Sequence, residues 1–342
     1  MPPRHYVSAR EVAERAGVSR SAVSRALTDG ASISPELKAR VLTAAEELGY
    51  EINMLARGLL DDRSMIVSLV SSSLGSPFTG MMLPAITDRL IAGGYAPLLI
   101  NIGTTPEIAE ESLRQVIRLR SSAVVILSGS PPGSFIEAAQ RTGIPIIALN
   151  RDEAGLDLIC ADNVTAGRIA FRRLTATSRR ICAVSPARST FSMRARLQGF
   201  LAEAEQLGCA PPRIVTAPPP LRDSGHADYA GGLALGAELI GADGIADGLF
   251  CLNDHIAFGV IDAARRSRRA EAGRDFSVIG FDDVPMAAWE AYRLTTFRQD
   301  PQAYAQQIMA ALEHRLNTQD ETNTQMLLSA ALIERESVCA DT

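Results

Sequence analysis

From Met65 onward the chain repeats one pattern, a short apolar run followed by a longer stretch with apolar residues at helical spacing. MIVSLV (65–70), APLLI (96–100), AVVIL (123–127) and IPIIAL (144–149) are predicted strands, with helices over about 80–92, 106–119 and 133–142 between them. ICAVS (181–185), RIVTA (213–217), GLFCL (248–252) and FSVIGF (276–281) form a second set, separated by helices over about 194–207, 229–240 and 255–267. Runs that are apolar throughout suit strands covered on both faces, and a strand–helix alternation builds a parallel sheet with helices on each side. Two such sets predict two α/β halves. A chain of 342 residues can hold both and a further small unit.

That small unit precedes the polar break Asp61-Asp62-Arg63-Ser64. Ser8-Ala9-Arg10-Glu11 has the spacing of a capping box, in which a hydroxyl and a carboxylate satisfy the free N–H groups of a helix start. The helix carries Val12, Ala13 and Ala16 and should stop at Gly17, after which Ser19 can cap a second helix with Ala22, Val23, Ala26 and Leu27 inward. Ser34-Pro35-Glu36 opens a third helix with the apolar stripe Leu37, Val41, Leu42, Ala45 and Leu48, ended by Gly49. Two short helices joined by a turn containing glycine make a helix-turn-helix. Its second helix leaves Arg20, Ser21, Ser24 and Arg25 outward, and such a helix fits the major groove of DNA.

Charge is consistent with a local contact only. The chain has a net charge of −5, yet residues 1–25 carry five arginines against two glutamates. Lys38 is the only lysine, which excludes a GxxxxGK[ST] phosphate loop, and GxGxxG, GxSxG and HExxH are all missing. The five cysteines are widely spaced without a CxxC pair, so neither a disulfide framework nor a zinc site is expected. No metal or cofactor is expected. No apolar stretch is long enough for a membrane span and the N-terminus lacks a signal-peptide core, so a cytoplasmic location is expected.

Ligands of parallel α/β sheets sit beyond the carboxyl ends of the strands. Here those ends carry Asn150-Arg151, Asn253-Asp254 and Asp282-Asp283, and Arg196 lies early in a helix. A carboxylate, an amide and a guanidinium together can accept from and donate to neighbouring hydroxyls, as a sugar ring requires. Each alone reads as a helix cap, and Asp254 beside His255 is read that way. The joint placement points to a neutral pentose or hexose. Arg194 and Arg151 leave a sugar acid or phosphate open, and a purine also remains open.

The stretch VSAREVAERAGVSRSAVSRAL, from Val7 to Leu27, resembles the opening of the LacI/GalR family of transcriptional regulators. The segment from Gly49 to Leu59 is similar to that family's hinge, except that Ile52 stands where proline is usual. Further matches are Asp162-Asn163 with Ala166-Gly167, Arg196 to Phe200, Asn253 to Gly259, Ile279 to Asp283 and Leu294 to Gln299, so the resemblance covers nearly the whole chain. It implies an all-α helix-turn-helix headpiece (residues 1–50), a hinge helix and linker (51–63) and an α/β sensor (64–342) of two Rossmann-like subdomains, periplasmic-binding-protein-like, type I. The halves of the sensor would be about 64–160 with 292–320, and 161–291 with 321–338.

The resemblance further implies that Arg20, Ser21 and Arg25 read bases, that Ser8, Ser19, Ser24, Ser34, Tyr50 and Asn53 hold the DNA backbone, and that Ala56 and Leu59 enter the minor groove, Leu59 as an apolar wedge. Effector contacts would come from Arg196, Asn253 and Asp282, with Ser72, Phe78, Ser128, Asn150 and Gln299 around them. The family commonly places an aromatic about five residues before the glycine matching Gly232; here that place is Ala227, flanked by His226 and Asp228, which leaves Phe78 as the candidate ring. The partners implied are pseudo-palindromic double-stranded operator DNA, a small-molecule effector and a second copy of the chain, with no membrane. Only five residues follow Ser337, so a dimer without a tetramerising tail is expected. The reading is a repressor of sugar or related carbon-source genes. Its rivals are a sugar-binding transport-type protein and a cytoplasmic sugar-modifying enzyme.

Overall fold

The computed structural model describes residues 6–28, 31–51, 64–102, 105–129, 132–219, 227–240, 245–268, 270–318 and 322–340. The chain divides into two compact units, Met1–Ser64 and Met65–Thr342.

The first unit is helical: α1 (Ala9–Ala16), α2 (Arg20–Ala26) and α3 (Pro35–Leu48). The capping box is complete, because Ser8 Oγ accepts from Glu11 N and the Glu11 carboxylate accepts from Ser8 N at 2.8 Å. Ser19 and Ser34 cap α2 and α3 by accepting from Ala22 N and Leu37 N, without a reciprocal carboxylate, and Gly17 and Gly49 end α1 and α3 at φ 64° and 63°, a left-handed backbone that suits glycine. Val12, Ala16, Val23, Ala26, Val41 and Ala45 form the core. One stripe residue differs from expectation. Leu42 is 44% exposed, because Val41, Ala44 and Ala45 define the inward face and Leu42 projects about a quarter turn away from Val41.

The second unit contains two six-stranded sheets. The first half runs β1 (Ile66–Ser71), α4 (Pro77–Ala92), β2 (Ala96–Asn101), α5 (Pro106–Arg118), β3 (Ala123–Ile126), α6 (Gly133–Arg141), β4 (Ile146–Leu149) and β5 (Asp157–Ala161). The second half follows with α7 (Asn163–Thr175), β6 (Ile181–Ser185), α8 (Phe191–Gln206), β7 (Arg213–Thr216), α9 (Ala227–Leu239), β8 (Gly248–Cys251), α10 (Asp254–Arg268) and β9 (Ser277–Asp282). The last elements are β10 (Thr295–Arg298), α11 (Pro301–Asn317), β11 (Gln325–Leu328) and β12 (Ala331–Ile333). Sheet orders are β11-β5-β4-β3-β1-β2 and β12-β10-β9-β8-β6-β7, parallel throughout except where β12 runs against β10. Both are doubly wound, with Ile126, Ile147, Phe250 and Ile279 among the fully buried strand residues.

The crossings between halves correct the boundaries expected near 291 and 321. β10 stays in the second sheet, in register with β9 from Thr295↔Ile279 to Arg298↔Asp282, and Phe297 stacks on Phe281 at 5.5 Å. The chain returns to the first half only with α11, whose Tyr304, Ile308 and Leu312 share a core with Met82 and Ile86 of α4. β11 then pairs with β5, and the last crossing falls between Leu328 and Ala331. The apolar faces of Phe297 and Ile308 decide these memberships.

Candidate functional site

On the headpiece, the outward face of α2 is as expected: Ser19, Arg20, Ser21, Ser24 and Arg25 are all exposed. The other described arginines of this unit are engaged within it. Arg10 pairs with Glu14 at 2.9 Å, Arg15 with Glu47 at 2.5 Å, and Arg40 Nη2 donates to Ala16 O at 2.6 Å. Arg20 has no partner among the described residues, and Arg25 Nε donates only to Ser21 O at 3.3 Å. These two guanidiniums are thus available to an outside acceptor. Ser8 and Ser34 are exposed caps, and Tyr50 is half-buried on the helical core. Asn53, Ala56 and Leu59 lie outside the described residues.

In the second unit the named residues stand at strand carboxyl ends. Two glycines set the position of Arg196. A Cβ on Gly167 would come 2.1 Å from Arg196 O, and one on Gly199 would come 2.0 Å from Val164 O, so α7 and α8 cross in backbone contact. Arg196 is thereby fixed in the second turn of α8, 3% exposed. Its Nε donates to Asn163 Oδ1 at 2.8 Å and Nη1 to Leu252 O at 2.5 Å, while the guanidinium lies 3.4 Å from the Phe281 ring centroid. Nη2 stands 3.8 Å from Asp282 Oδ1. Arg196 therefore positions Asp282 as well as offering its remaining N–H groups.

Asp282 ends β9 at φ 123°, a backbone few non-glycine residues adopt, and Asp283 follows at φ 54°. Arg335 and Arg298 bond the Asp283 carboxylate at 2.7 and 2.6 Å, which braces the turn. Burial pushes the Asp282 carboxyl up to about 6, against the opposing pull of Arg196 and Gln299. Gln299 Nε2 donates to Asp282 Oδ1 at 2.7 Å, and the Tyr304 hydroxyl donates to Gln299 Oε1 at 2.7 Å. Tyr304 OH also lies 3.5 Å from Asn150 Oδ1, which accepts from Ser192 Oγ at 3.3 Å. Asn150, at φ 58°, ends β4 in the first half, and Ser192 opens α8 in the second. Arg196, Asp282, Gln299 and Asn150 thus belong to one polar chain that joins the halves.

Asn253 sits beside this chain. Its Oδ1 accepts from Ile256 N at 2.9 Å and its Nδ2 donates to Asp228 Oδ2 at 2.6 Å. Asn253 therefore caps α10, in place of Asp254. Asp254 is fully buried and turns to the next strands, accepting from Val284 N at 2.9 Å and Thr296 Oγ1 at 2.5 Å. Burial raises its carboxyl to about 8, and the Asp282 charge adds to that rise.

Ser72 and Ser128 lie together at the ends of β1 and β3, where Ser72 N donates to Ser128 O at 3.3 Å and Ser128 Oγ bonds Ser71 Oγ at 2.8 Å. Phe78 packs on the first-half core. No described bond joins these three to the Arg196 group. Sequence reading missed Asp228, Ser192 and Tyr304 as site residues. Asp228 was signalled by its place beside the absent aromatic, and Tyr304 by lying five residues after Gln299 on a helix start; nothing singled out Ser192. Among the described residues no His, Cys, Asp and Glu group could hold a metal, and no helix is long and apolar enough to cross a membrane.

This geometry has relatives. The family described as bacterial regulatory proteins, lacI family, matches residues 8–53, and the periplasmic binding protein-like domain matches residues 170–338. The HTH-type transcriptional regulator GntR of Pseudomonas aeruginosa is 28% identical over 330 residues, 96% of this chain and 94% of that one. Among solved structures, the lac repressor dimer bound to operator and an anti-inducer aligns with a TM-score of 0.82 at 22% identity, over 98% of this chain and 100% of that chain. A LacI family transcriptional regulator from Enterococcus faecium with bound ribose aligns with a TM-score of 0.69 at 22% identity, over 80% of this chain and 98% of that one.

Proposed function

This chain belongs to the lacI family of bacterial regulatory proteins and is a DNA-binding transcriptional regulator, not an enzyme; from that premise we propose a cytoplasmic homodimeric repressor released or engaged by a sugar-like effector. Two headpieces would read the two half-sites of a pseudo-palindrome, each placing α2 in a major groove. Arg20, Ser21 and Arg25 would contact base edges. Ser8, Ser19, Ser24, Ser34, Tyr50 and Asn53 would hold the backbone, with Ala56 and the Leu59 wedge in the minor groove.

The effector would be held at the strand ends by Asp282, Asn253, Arg196, Asn150 and Gln299, with Ser72, Ser128 and Phe78 closing from the first half. The observation that carries this reading is the polar chain from Arg196 through Asp282, Gln299 and Tyr304 to Asn150 and Ser192, because it links both halves at the place a ligand would fill. A ligand bonding to its members on both sides favours one angle between the halves. If the two angles differ in DNA affinity, effector and operator binding are reciprocally coupled. The bound ribose of the Enterococcus faecium regulator supports a sugar as the ligand class.

Titration of the full chain on its own upstream intergenic DNA, by fluorescence anisotropy at fixed salt with and without a sugar panel, tests the proposal. Tight binding to a pseudo-palindrome, altered by one sugar, is expected. Specific DNA binding that no sugar of the panel alters would overturn the sugar-sensing part of the reading.

A further inference from the structure

We propose that the strand-end site is built for a polyhydroxylated ligand without negative charge, a neutral or amino sugar, and that Asp228 is the residue that excludes sugar acids and sugar phosphates. The inference rests on the effector reading above and narrows it. Asp228 stands in the first turn of α9, and its Oδ2 is fixed by Asn253 Nδ2 at 2.6 Å. Asn253 is itself 7% exposed and anchored on Ile256 N, so the Asp228 carboxylate is held beside the amide that follows β8. Its charge reaches Asp282, whose carboxyl it helps to raise. A pair of carboxylates therefore bears on the site.

Among the neighbouring cations Arg196 offsets Asp282 alone, and the Asp228 carboxylate has no cation partner among the described residues. Arg196 is 3% exposed, with Nε and Nη1 engaged by Asn163 and Leu252 and Nη2 directed to Asp282. Arg151 is paired with Glu153 and donates to Gly129 O at 3.1 Å. Arg194 donates to Ser189 O at 3.0 Å, and both it and Arg188 are exposed, where solvent and salt screen their charges. Carboxylates accept from hydroxyl and ammonium groups but offer nothing to an anion. Two like charges a few ångströms apart at a partly buried site repel strongly.

The test uses the full chain and matched carbohydrates: D-glucose, D-glucosamine, D-gluconate and D-glucose 6-phosphate, the corresponding galactose series, and D-ribose with D-ribose 5-phosphate. Thermal shift and calorimetry read the binding. Binding is expected only from neutral or amino members, with each acid or phosphate at least about tenfold weaker than its parent. Asp228→Asn should narrow that gap about tenfold. Asp228→Ser removes the same charge and keeps a side-chain oxygen on this turn, should the amide variant fail to fold. An acid or phosphate bound by the wild-type chain as tightly as its parent would overturn the inference alone. A gap unchanged in both variants would remove Asp228 from it. Silence from every carbohydrate would overturn the effector reading and this inference with it.

Discussion

Tyr304 donates to Gln299 at 2.7 Å from a helix that packs with the first half, while Gln299 follows a strand of the second. The phenol has one hydrogen and two acceptors in reach, and the shorter bond goes to Gln299 rather than to Asn150 at 3.5 Å. Burial pushes the phenol's pKa up, so it remains a donor. Tyr304→Phe leaves the 2%-exposed Gln299 with an unsatisfied oxygen and should destabilise the second unit by about 1–2 kcal/mol. Urea unfolding reads the loss. An unchanged midpoint would show that Gln299 finds another donor.

Asp157 and Arg315 tie β5 to α11 by two bonds, at 2.7 and 2.6 Å, and Thr324 N adds a third to the same carboxylate at 2.8 Å. Burial alone would raise the Asp157 pKa, but the bonds from Arg315 and Thr324 outweigh it and the net direction is down. A carboxyl held below its unfolded value stabilises the fold above about pH 4, and this contribution disappears as pH falls through the folded value. Asp157→Asn breaks a buried ion pair and should cost about 3–5 kcal/mol at neutral pH. Equilibrium unfolding at pH 7 and again at acid pH should show the difference between variant and wild type shrinking with acid. A difference that stays constant would assign the effect to packing.

Asp254 carries the opposite sign. Its carboxyl keeps its proton to about pH 8 in the fold, while in the unfolded chain it releases it near the ordinary value of about 4. Between those limits unfolding releases a proton, so this group's contribution weakens stability as pH rises. Asp254→Asn should therefore flatten the alkaline decline. The curve to measure is the variant-minus-wild-type stability from pH 5 to 8, which should climb. A flat difference would mean that Asp254 is ionised in the fold.

Gly199 lets α8 approach α7 until only a hydrogen atom fits against Val164 O. Gly199→Ala forces the backbones apart and should destabilise by about 1–3 kcal/mol. Because Arg196 sits one turn away, carbohydrate affinity should fall with stability. Lost stability with intact affinity would separate the helix crossing from the placement of Arg196.

Much of this was legible in the amino-acid order. The caps Ser8, Ser19 and Ser34 and the stops Gly17 and Gly49 are local devices, decided within a few residues, and their geometry followed. The buried strands announced themselves as unbroken apolar runs. The crossings did not, because the membership of β10 and α11 is settled by distant partners, Phe297 on Phe281 and Ile308 beside Ile86. The same limit applied at the site. Arg196, Asn253 and Asp282 were visible as strand-end polar groups, whereas Tyr304 and Ser192 join them only through bonds to Gln299 and Asn150. Leu42 shows that spacing locates a helical face only to within a residue or so.

The exposed arginines of α2 allow base reading to be separated from backbone attraction. Arg20 lies at the start of the helix and has no partner among the described residues, so its guanidinium can reach a base edge. Arg25 is a turn later and bonds back to Ser21 O at 3.3 Å. If Arg20 makes a bidentate contact to guanine, Arg20→Ala should cost about 1–3 kcal/mol on the operator and much less on scrambled DNA. If it meets phosphate instead, both DNAs should weaken alike, and the slope of log affinity against log salt should fall by about one. Ser19→Ala is read by headpiece unfolding and not by DNA affinity, because Ser19 is also assigned to the DNA backbone. It removes the hydroxyl that caps α2 on Ala22 N at 3.2 Å and should lower headpiece stability by about 1 kcal/mol. Anisotropy on both DNAs at three salt concentrations distinguishes the outcomes. Equal losses from Arg20→Ala on operator and scrambled DNA would move base recognition to Ser21 and Arg25.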